Sequence, residues 1–296
     1  MVAKSDSTER TLCKAVAAVR AEQIGRVRRG GGGVGRASWR DHDSSLLARL
    51  ALTHRRGKRV HVSFPGIIEL ALSGRGPPRG YLFDPHRLAL PCWALAEAGA
   101  PAVLVTFDRH FDLVAPTNPP SKGWTAAAYD EHARQKLNER NVDHILAAME
   151  AGLVSDVIAI ARSWPHGARR EPTWTSSDGV VHHVFMAPTL ERLLDDRRAL
   201  EVLMTSPHSL LDFDLDCFVT PSDADPFTLV PWPQELIRDF LCPRGSDAFW
   251  DAALRQCRAL TFAREPNHCG GVIASNRLFE KACGVIFEEL LKTDLP

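Results

Sequence analysis

The chain has 296 residues, of which 45% are hydrophobic and 24% are charged. This balance is typical of a folded protein and excludes a collagen-like repeat or a chain that is disordered throughout. Lysine plus arginine equals aspartate plus glutamate at 36 each, so the charge does not favour a nucleic-acid partner. The longest apolar runs, such as residues 157–161, are too short to cross a bilayer, and no membrane partner is expected.

The first 56 residues differ from the rest of the chain in charge. Residues 1–60 carry 14 basic and 5 acidic side chains, whereas the remainder is acidic. Helical spacing over residues 11–29 precedes a glycine run at 30–35 that follows no predicted strand, which favours a linker over a dinucleotide loop. We predict a basic, flexible N-terminal extension over residues 1–56, with an organelle transit peptide as the alternative.

From residue 57 onward, short apolar runs alternate with longer segments of helical periodicity. Predicted strands cover 59–64, 80–83, 102–107, 156–161, 180–185, 209–213 and 260–263. Predicted helices cover 88–98, 126–151, 190–204, 233–241, 247–258 and 276–292. The alternation predicts one α/β domain over residues 57–296, a three-layer sandwich with a mostly parallel sheet. In such a fold, sites lie at the carboxyl ends of the strands.

The seven cysteines form no C-x-x-C pair, and no apolar secretory segment opens the chain. We therefore interpret the cysteines as small buried hydrophobic residues of a cytoplasmic protein in a reducing compartment. This interpretation disfavours a zinc ribbon and a disulfide scaffold.

Two predicted strands end in acidic clusters. One runs into Asp108-Arg109-His110-Phe111-Asp112, and the other into Asp212-Phe213-Asp214-Leu215-Asp216. In an extended chain alternate side chains share one side, so the carboxylates of each cluster would desolvate and repel one another unless a cation joined them. An edge strand with a solvated acidic face is the alternative for either cluster alone, but the coincidence of two favours a metal site.

A third predicted strand is followed by Asp84-Pro85-His86, 22 residues before Asp108. A histidine in this position, taken alone, is more typical of an ordinary loop than of a metal site. Its place after a strand of the same predicted sheet makes it a candidate ligand beside the two acidic clusters.

The segment Asp108-x-His110-x-Asp112 resembles the D-x-H-x-D metal motif of the arginase-like ureohydrolases. Residues 211–216 are similar to their S-F-D-x-D motif, with Asp212 in the serine position, and His86 is spaced like the family's first metal histidine. The resemblance extends over residues 80–275. It is closest to the divergent branch that includes peptide arginases, which convert arginine side chains of ribosomal peptides to ornithine; residues 260–271, and more loosely 141–153, also resemble that branch.

The resemblance implies an arginase-like fold with two manganese ions. One ion would be held by His86, Asp108, Asp112 and Asp214, and the other by His110, Asp108, Asp214 and Asp216. Oxygen ligands with a few imidazoles suit Mn²⁺ on general grounds as well. The histidine-rich signature of the single-zinc deacetylases does not match Cys217-Phe218, which favours two metals over one.

The implied reaction is attack of an activated water on a guanidinium carbon, with a small-molecule or peptide substrate that bears a guanidino group. The leaving amine needs a proton, for which His144, His166 and His268 are the candidate donors. Glu265, after the last predicted strand, is the candidate carboxylate to hold the guanidinium.

The chain departs from the family pattern in three places. Val114 stands where arginases have an asparagine that helps to hold the carboxylate of the amino acid, and both the G-G-D-H motif and a clear S-G-N-x-H-G loop are missing. These departures weaken the expectation for free arginine and leave guanidine chemistry on a larger substrate open. A metal-dependent amide deacylase on the same scaffold and a non-catalytic arginase-like binding protein are the alternatives. The sequence does not predict an oligomeric state.

Overall fold

A computed structural model describes residues 62–70, 78–96, 99–163, 173–225 and 227–287 of the chain. The predicted extension over residues 1–56 lies outside the described residues, and so does His166. The described residues begin at 62, inside the predicted domain of residues 57–296.

A nine-stranded sheet, with strands in the order β1-β2-β3-β11-β8-β4-β5-β7-β6, forms the centre of the described chain. Its strands are β1 (Val62–Phe64), β2 (Ile67–Leu70), β3 (Arg79–Phe83), β4 (Ala102–Asp108), β5 (Val154–Ala161), β6 (Thr173–Thr175), β7 (Val181–Ala187), β8 (Ser209–Asp214) and β11 (Cys257–Ala263). The six neighbouring strands from β3 to β7 are parallel, and β1, β2 and β6 are antiparallel additions at the two edges. Two further strands, β9 (Val219–Pro221) and β10 (Leu229–Pro231), form a separate antiparallel pair.

The described helices form two groups. The first contains α1 (Ala89–Leu95), α2 (Ala126–Gln135) and α3 (His144–Glu150), and α1 contacts both of the others. The second contains α4 (Leu190–Leu193), α5 (Arg197–Thr205), α6 (Gln234–Leu241), α7 (Asp247–Arg255) and α8 (Val272–Val285), with α5 on α7 and α6 on α8. Short 3₁₀ helices follow β3 at His86–Leu88 and β8 at Leu215–Phe218.

The alternation of side chains along the central strands shows that the two helix groups cover opposite faces. Phe213 of β8 stacks between Phe107 of β4 and Phe262 of β11, with ring centroids 5.2 and 5.3 Å apart, and Trp250 of α7 stacks on Phe107. One residue earlier in β11, the hydroxyl of Thr261 accepts a hydrogen bond from the indole of Trp93 in α1. The prediction of an α/β fold with a mostly parallel, doubly covered sheet is confirmed.

Two predicted helices are interrupted. The predicted helix 126–151 forms α2 and α3, separated by a turn in which Asn141 has a φ of 60°. The predicted helix 190–204 forms α4 and α5, because the side chain of Asp196 accepts hydrogen bonds from the backbone of Arg198 and Ala199 and begins a new helix. Runs of polar residues, 138–141 and 195–198, lie at the two interruptions, and the predicted helices extended through them.

The burial of the described cysteines agrees in part with the prediction that cysteines are small buried residues. Six of the seven lie in the described part of the chain and none of these six forms a disulfide; five are buried, and Cys242 is partly exposed. Among the described helices, none combines the length and apolar character that crossing a membrane requires.

Candidate metal centre

The site lies at the carboxyl ends of four neighbouring parallel strands. In the order β3-β11-β8-β4, the chain leaves the sheet at His86, Glu265, Asp214 and Asp108. Since parallel strands end at the same edge of a sheet, residues that are far apart in sequence meet here. The backbone N–H of His86, for example, donates to Oε1 of Glu265, 179 residues later.

Three carboxylates surround one nitrogen of His86. Its Nδ1 lies 3.1 Å from Oδ2 of Asp214, 3.3 Å from Oδ2 of Asp112 and 3.7 Å from Oδ2 of Asp108. All four residues are buried. Their donor atoms are close enough together to hold one metal ion.

A second group shares Asp108 with the first. His110 Nδ1 lies 3.2 Å from Oδ2 of Asp216 and 3.8 Å from Oδ1 of Asp108. The side chain of His110 is 51% exposed, so this group opens to solvent while the first is enclosed. Asp214, Asp216 and Glu265 form a third group that joins the other two.

The structure therefore gathers all six predicted metal ligands at one place. They are His86, Asp108, His110, Asp112, Asp214 and Asp216. The 3₁₀ turn after β8 positions the last of them, because the backbone N–H of Asp216 donates to Oδ1 of Asp214 at 3.1 Å.

The gathered charges are poorly compensated by the protein alone. Burial raises the pKa of Asp108 and Asp214 well above the ordinary range, and the carboxylates around them raise it further. Burial by itself would lower the pKa of His86, but Asp212 and Asp214 raise it well above its usual value. Three buried atoms of the cluster, His86 Nδ1, Asp108 Oδ2 and Asp216 Oδ2, make no hydrogen bond of acceptable geometry with the described residues. Such an arrangement fits a bound cation, which would satisfy these atoms together.

Backbone strain is concentrated at the same place. The non-glycine residues with positive φ in the described part of the chain are Asp112 (46°), Asn141 (60°) and Glu265 (37°). Conformations of this kind cost on the order of 1–3 kcal/mol each and persist where the surroundings enforce them. All three belong to the cluster or contact it, as is common at functional sites.

Two donors hold one carboxylate oxygen of the buried Glu265. Its Oε1 accepts hydrogen bonds from the backbone N–H of His86 and from the side-chain amide of Asn141, and its Oε2 lies 3.9 Å from Nε2 of the exposed His268. Burial and the nearby Asp216 raise the pKa of Glu265. Asn141, which sequence reasoning missed, is in turn fixed by Arg87, whose Nη1 donates to its Oδ1 at 3.0 Å.

The candidate proton donors lie in different surroundings. His144 is fully buried, its Nδ1 donates to the carbonyl oxygen of Asn141 at 2.8 Å, and its ring centroid lies 4.2 Å from that of His86. Burial and the charge of His86 lower the pKa of His144 to about 4, so this ring is neutral near pH 7. His268 instead is 60% exposed beside Glu265.

Asp212 also belongs to the site, although no ligand role was predicted for it. Its carboxylate is fully buried and accepts hydrogen bonds from His86, Thr106 and Thr261. Burial opposes its ionisation, but the charge and hydrogen bond of His86 lower the pKa of Asp212 below its usual value. Thr106 and Thr261 are the register partners of Asp212 on the neighbouring strands β4 and β11. Because side chains alternate between the two faces of a strand, the sequence pattern could have shown that these three lie on the same face.

Comparison of the sequence with protein-family models and with curated proteins found no match. The donor atoms of the cluster therefore indicate its chemistry. Carboxylate oxygens with two imidazoles suit hard or intermediate divalent cations, and two adjoining groups of such donors share Asp108.

Proposed function

We propose that this protein is a manganese-dependent hydrolase with an arginase-like fold, which cleaves a C–N bond in the guanidino group of an arginine side chain. The observation that carries this proposal is the convergence of three carboxylates on the unpartnered Nδ1 of buried His86, 3.1–3.7 Å away. A cation held between these buried carboxylates and the imidazole nitrogen would relieve their mutual repulsion.

Two ions would share the cluster. His86, Asp108, Asp112 and Asp214 would hold one, and His110, Asp108, Asp214 and Asp216 the other, so that Asp108 and Asp214 belong to both sets. When bound, such a pair of ions supplies a nucleophilic water at neutral pH for attack on the guanidinium carbon.

Residues of the chain would perform the remaining steps. Glu265 would accept hydrogen bonds from the guanidinium through Oε2, while Asn141 and the backbone of His86 hold Oε1. His268, exposed and 3.9 Å from that carboxylate, is the best placed described histidine to protonate the leaving amine. Buried, neutral His144 is less suited to exchange a proton with a substrate.

The surroundings favour arginine within a peptide over the free amino acid. Val114, 51% exposed, offers no hydrogen bond to an α-carboxylate. An apolar groove of about 280 Å³ adjoins Asp112, because Phe111 and Leu113 on either side of that residue line it together with Trp174 and Met186. Such a groove suits an apolar neighbour of the arginine.

The test combines metal analysis with product detection. Purified protein should contain manganese and release urea from arginine-containing peptides, leaving ornithine, with slower release from free arginine. Asp214→Asn should abolish both metal retention and turnover, whereas the same change at the exposed Asp239 of α6 should alter neither.

The results discriminate among the alternatives. Full metal content in Asp214→Asn would contradict the ligand assignment. Acetate release from acylated amines would favour a deacylase, and bound metal without turnover of any guanidino peptide would favour a binding protein.

A further inference from the structure

We propose that Asp212 is a positioning residue of this centre, whose buried carboxylate fixes the orientation and the tautomer of His86. The inference rests on the proposed metal centre, but it assigns a role to a residue outside the predicted ligand set. It also accounts for the aspartate that stands in the serine position of the motif.

The carboxylate of Asp212 is occupied on both oxygens. Oδ2 lies 2.7 Å from His86 Nε2 and accepts from the hydroxyl of Thr106 at 2.9 Å, while Oδ1 accepts from the hydroxyl of Thr261 at 2.6 Å. The hydroxyl of Thr261 is itself held by the indole N–H of Trp93 at 3.2 Å. All five residues are buried. We call the set Thr106, Asp212 and Thr261 the carboxylate clasp.

The clasp is built into the sheet. Thr106 and Thr261 flank Asp212 in register on the two neighbouring strands, so the three side chains lie in one row beneath His86. A row across three packed strands has little freedom to move, and the carboxylate is therefore fixed before any metal binds.

This arrangement leaves His86 one tautomer in its neutral form. An ionised carboxylate can only accept, so the hydrogen must sit on Nε2, and the lone pair of Nδ1 then points at Asp108, Asp112 and Asp214. A serine in the same place could donate as well as accept and would leave the choice between the two nitrogens open. A hydrogen bond from the outer nitrogen to a carboxylate also makes an imidazole a more basic metal ligand.

The first test measures manganese affinity without any assay of turnover. The electron paramagnetic resonance signal of free Mn²⁺ gives the binding isotherm of each variant. Asp212→Asn keeps an acceptor for His86 but loses the charge, and Asp212→Ala loses both. We expect affinity to fall about 10-fold to 100-fold, and further for Ala than for Asn.

The matched control is Phe213→Leu, the next residue of β8, which faces the opposite side of the sheet. This change should lower the thermal midpoint but leave Mn²⁺ affinity within about twofold, since the side chain of Phe213 lies on the face of the sheet away from the ligands and the clasp. Unchanged affinity in Asp212→Asn, or an equal loss in Phe213→Leu, would overturn the positioning role.

Thr261→Val covers the case in which the Asp212 variants do not fold. It removes one donor to the carboxylate and keeps the bond from His86, so a smaller but measurable loss of affinity is expected. If Thr261→Val binds Mn²⁺ as the parent protein does, the clasp is not needed.

The second test observes the tautomer directly. Long-range ¹H–¹⁵N spectra of the His86 ring, recorded with diamagnetic Zn²⁺ bound, should place the hydrogen on Nε2, and Thr261→Val should preserve it there. A hydrogen on Nδ1 would refute the proposal. Failure of the parent protein to bind any divalent ion would instead refute the metal centre itself, so the two failures are distinct.

Discussion

At the scale of single residues, the two nitrogens of His86 have different surroundings. Nε2 contacts one carboxylate at 2.7 Å within the sheet, and Nδ1 faces three buried carboxylates at 3.1–3.7 Å in the enclosed part of the cluster. The two carboxylate oxygens of Glu265 also have different surroundings. Oε1 accepts hydrogen bonds from the protein, and Oε2 lies toward His268. In both residues one atom is fixed by hydrogen bonds within the protein, and this fixes the direction in which the other atom faces.

Asn141→Gly tests the anchoring of Glu265. Glycine adopts the φ of 60° found here without strain, so the fold should be retained while the amide donor to Glu265 is lost. A hydrogen bond to a charged group contributes about 1.5–3 kcal/mol, which predicts a fall in kcat/KM for guanidino peptides of roughly 10-fold to 100-fold. Steady-state kinetics, with the thermal midpoint as the control for folding, would check this; an unchanged kcat/KM would contradict it.

At the scale of elements, β8 contributes to both the cluster and the aromatic core, because its side chains point alternately to the two faces of the sheet. Asp212 and Asp214 face the cluster, and Phe213 between them stacks between Phe107 and Phe262 on the other face. The interruption between α2 and α3 has a similar effect, since it places Asn141 at Glu265 and begins α3 at His144. Local breaks in regular structure thus supply residues that an unbroken helix would have directed elsewhere.

Phe213→Ala should cost about 3–5 kcal/mol of unfolding free energy, because it leaves a cavity between two stacked rings. Equilibrium unfolding in urea measures this loss, and Phe213→Leu should lose less since it fills part of the space. A loss below about 1 kcal/mol in Phe213→Ala would show that the aromatic stack contributes little to the stability of the sheet.

At the scale of the whole molecule, the cluster concentrates negative charge in a chain whose formal net charge is zero. Five of its carboxylates, those of Asp108, Asp112, Asp214, Asp216 and Glu265, are buried at one edge of the sheet. Their mutual repulsion destabilises the metal-free fold, and a cation bound only by the folded state would offset that cost.

Mn²⁺ should therefore raise the thermal midpoint, and EDTA should reverse the effect. At a concentration 100 times the dissociation constant, the expected stabilisation is about 2.7 kcal/mol per site. Calorimetry with and without Mn²⁺ measures the shift, which Asp239→Asn should retain and Asp214→Asn should lose. An equal shift in Asp214→Asn would mean that the ions act elsewhere on the protein.

The sequence by itself determined the features that depend on neighbouring residues. Apolar runs and helical periodicity predicted the parallel strands and most helices, and the acidic strand ends at 108–112 and 212–216 predicted where donor atoms would lie. Strands β2, β6, β9 and β10 were missed, because short edge and hairpin strands bury too little surface to leave a strong pattern.

Only the tertiary structure decided which of these residues meet. The strand order β3-β11-β8-β4 is not the order of the chain, and it brings His86, Glu265, Asp214 and Asp108 to one edge. The burial of His144, the contact of Asn141 with Glu265 and the row of Thr106, Asp212 and Thr261 follow from that order. Contacts between distant segments depend on how the whole sheet packs, and no local pattern of residues encodes that packing.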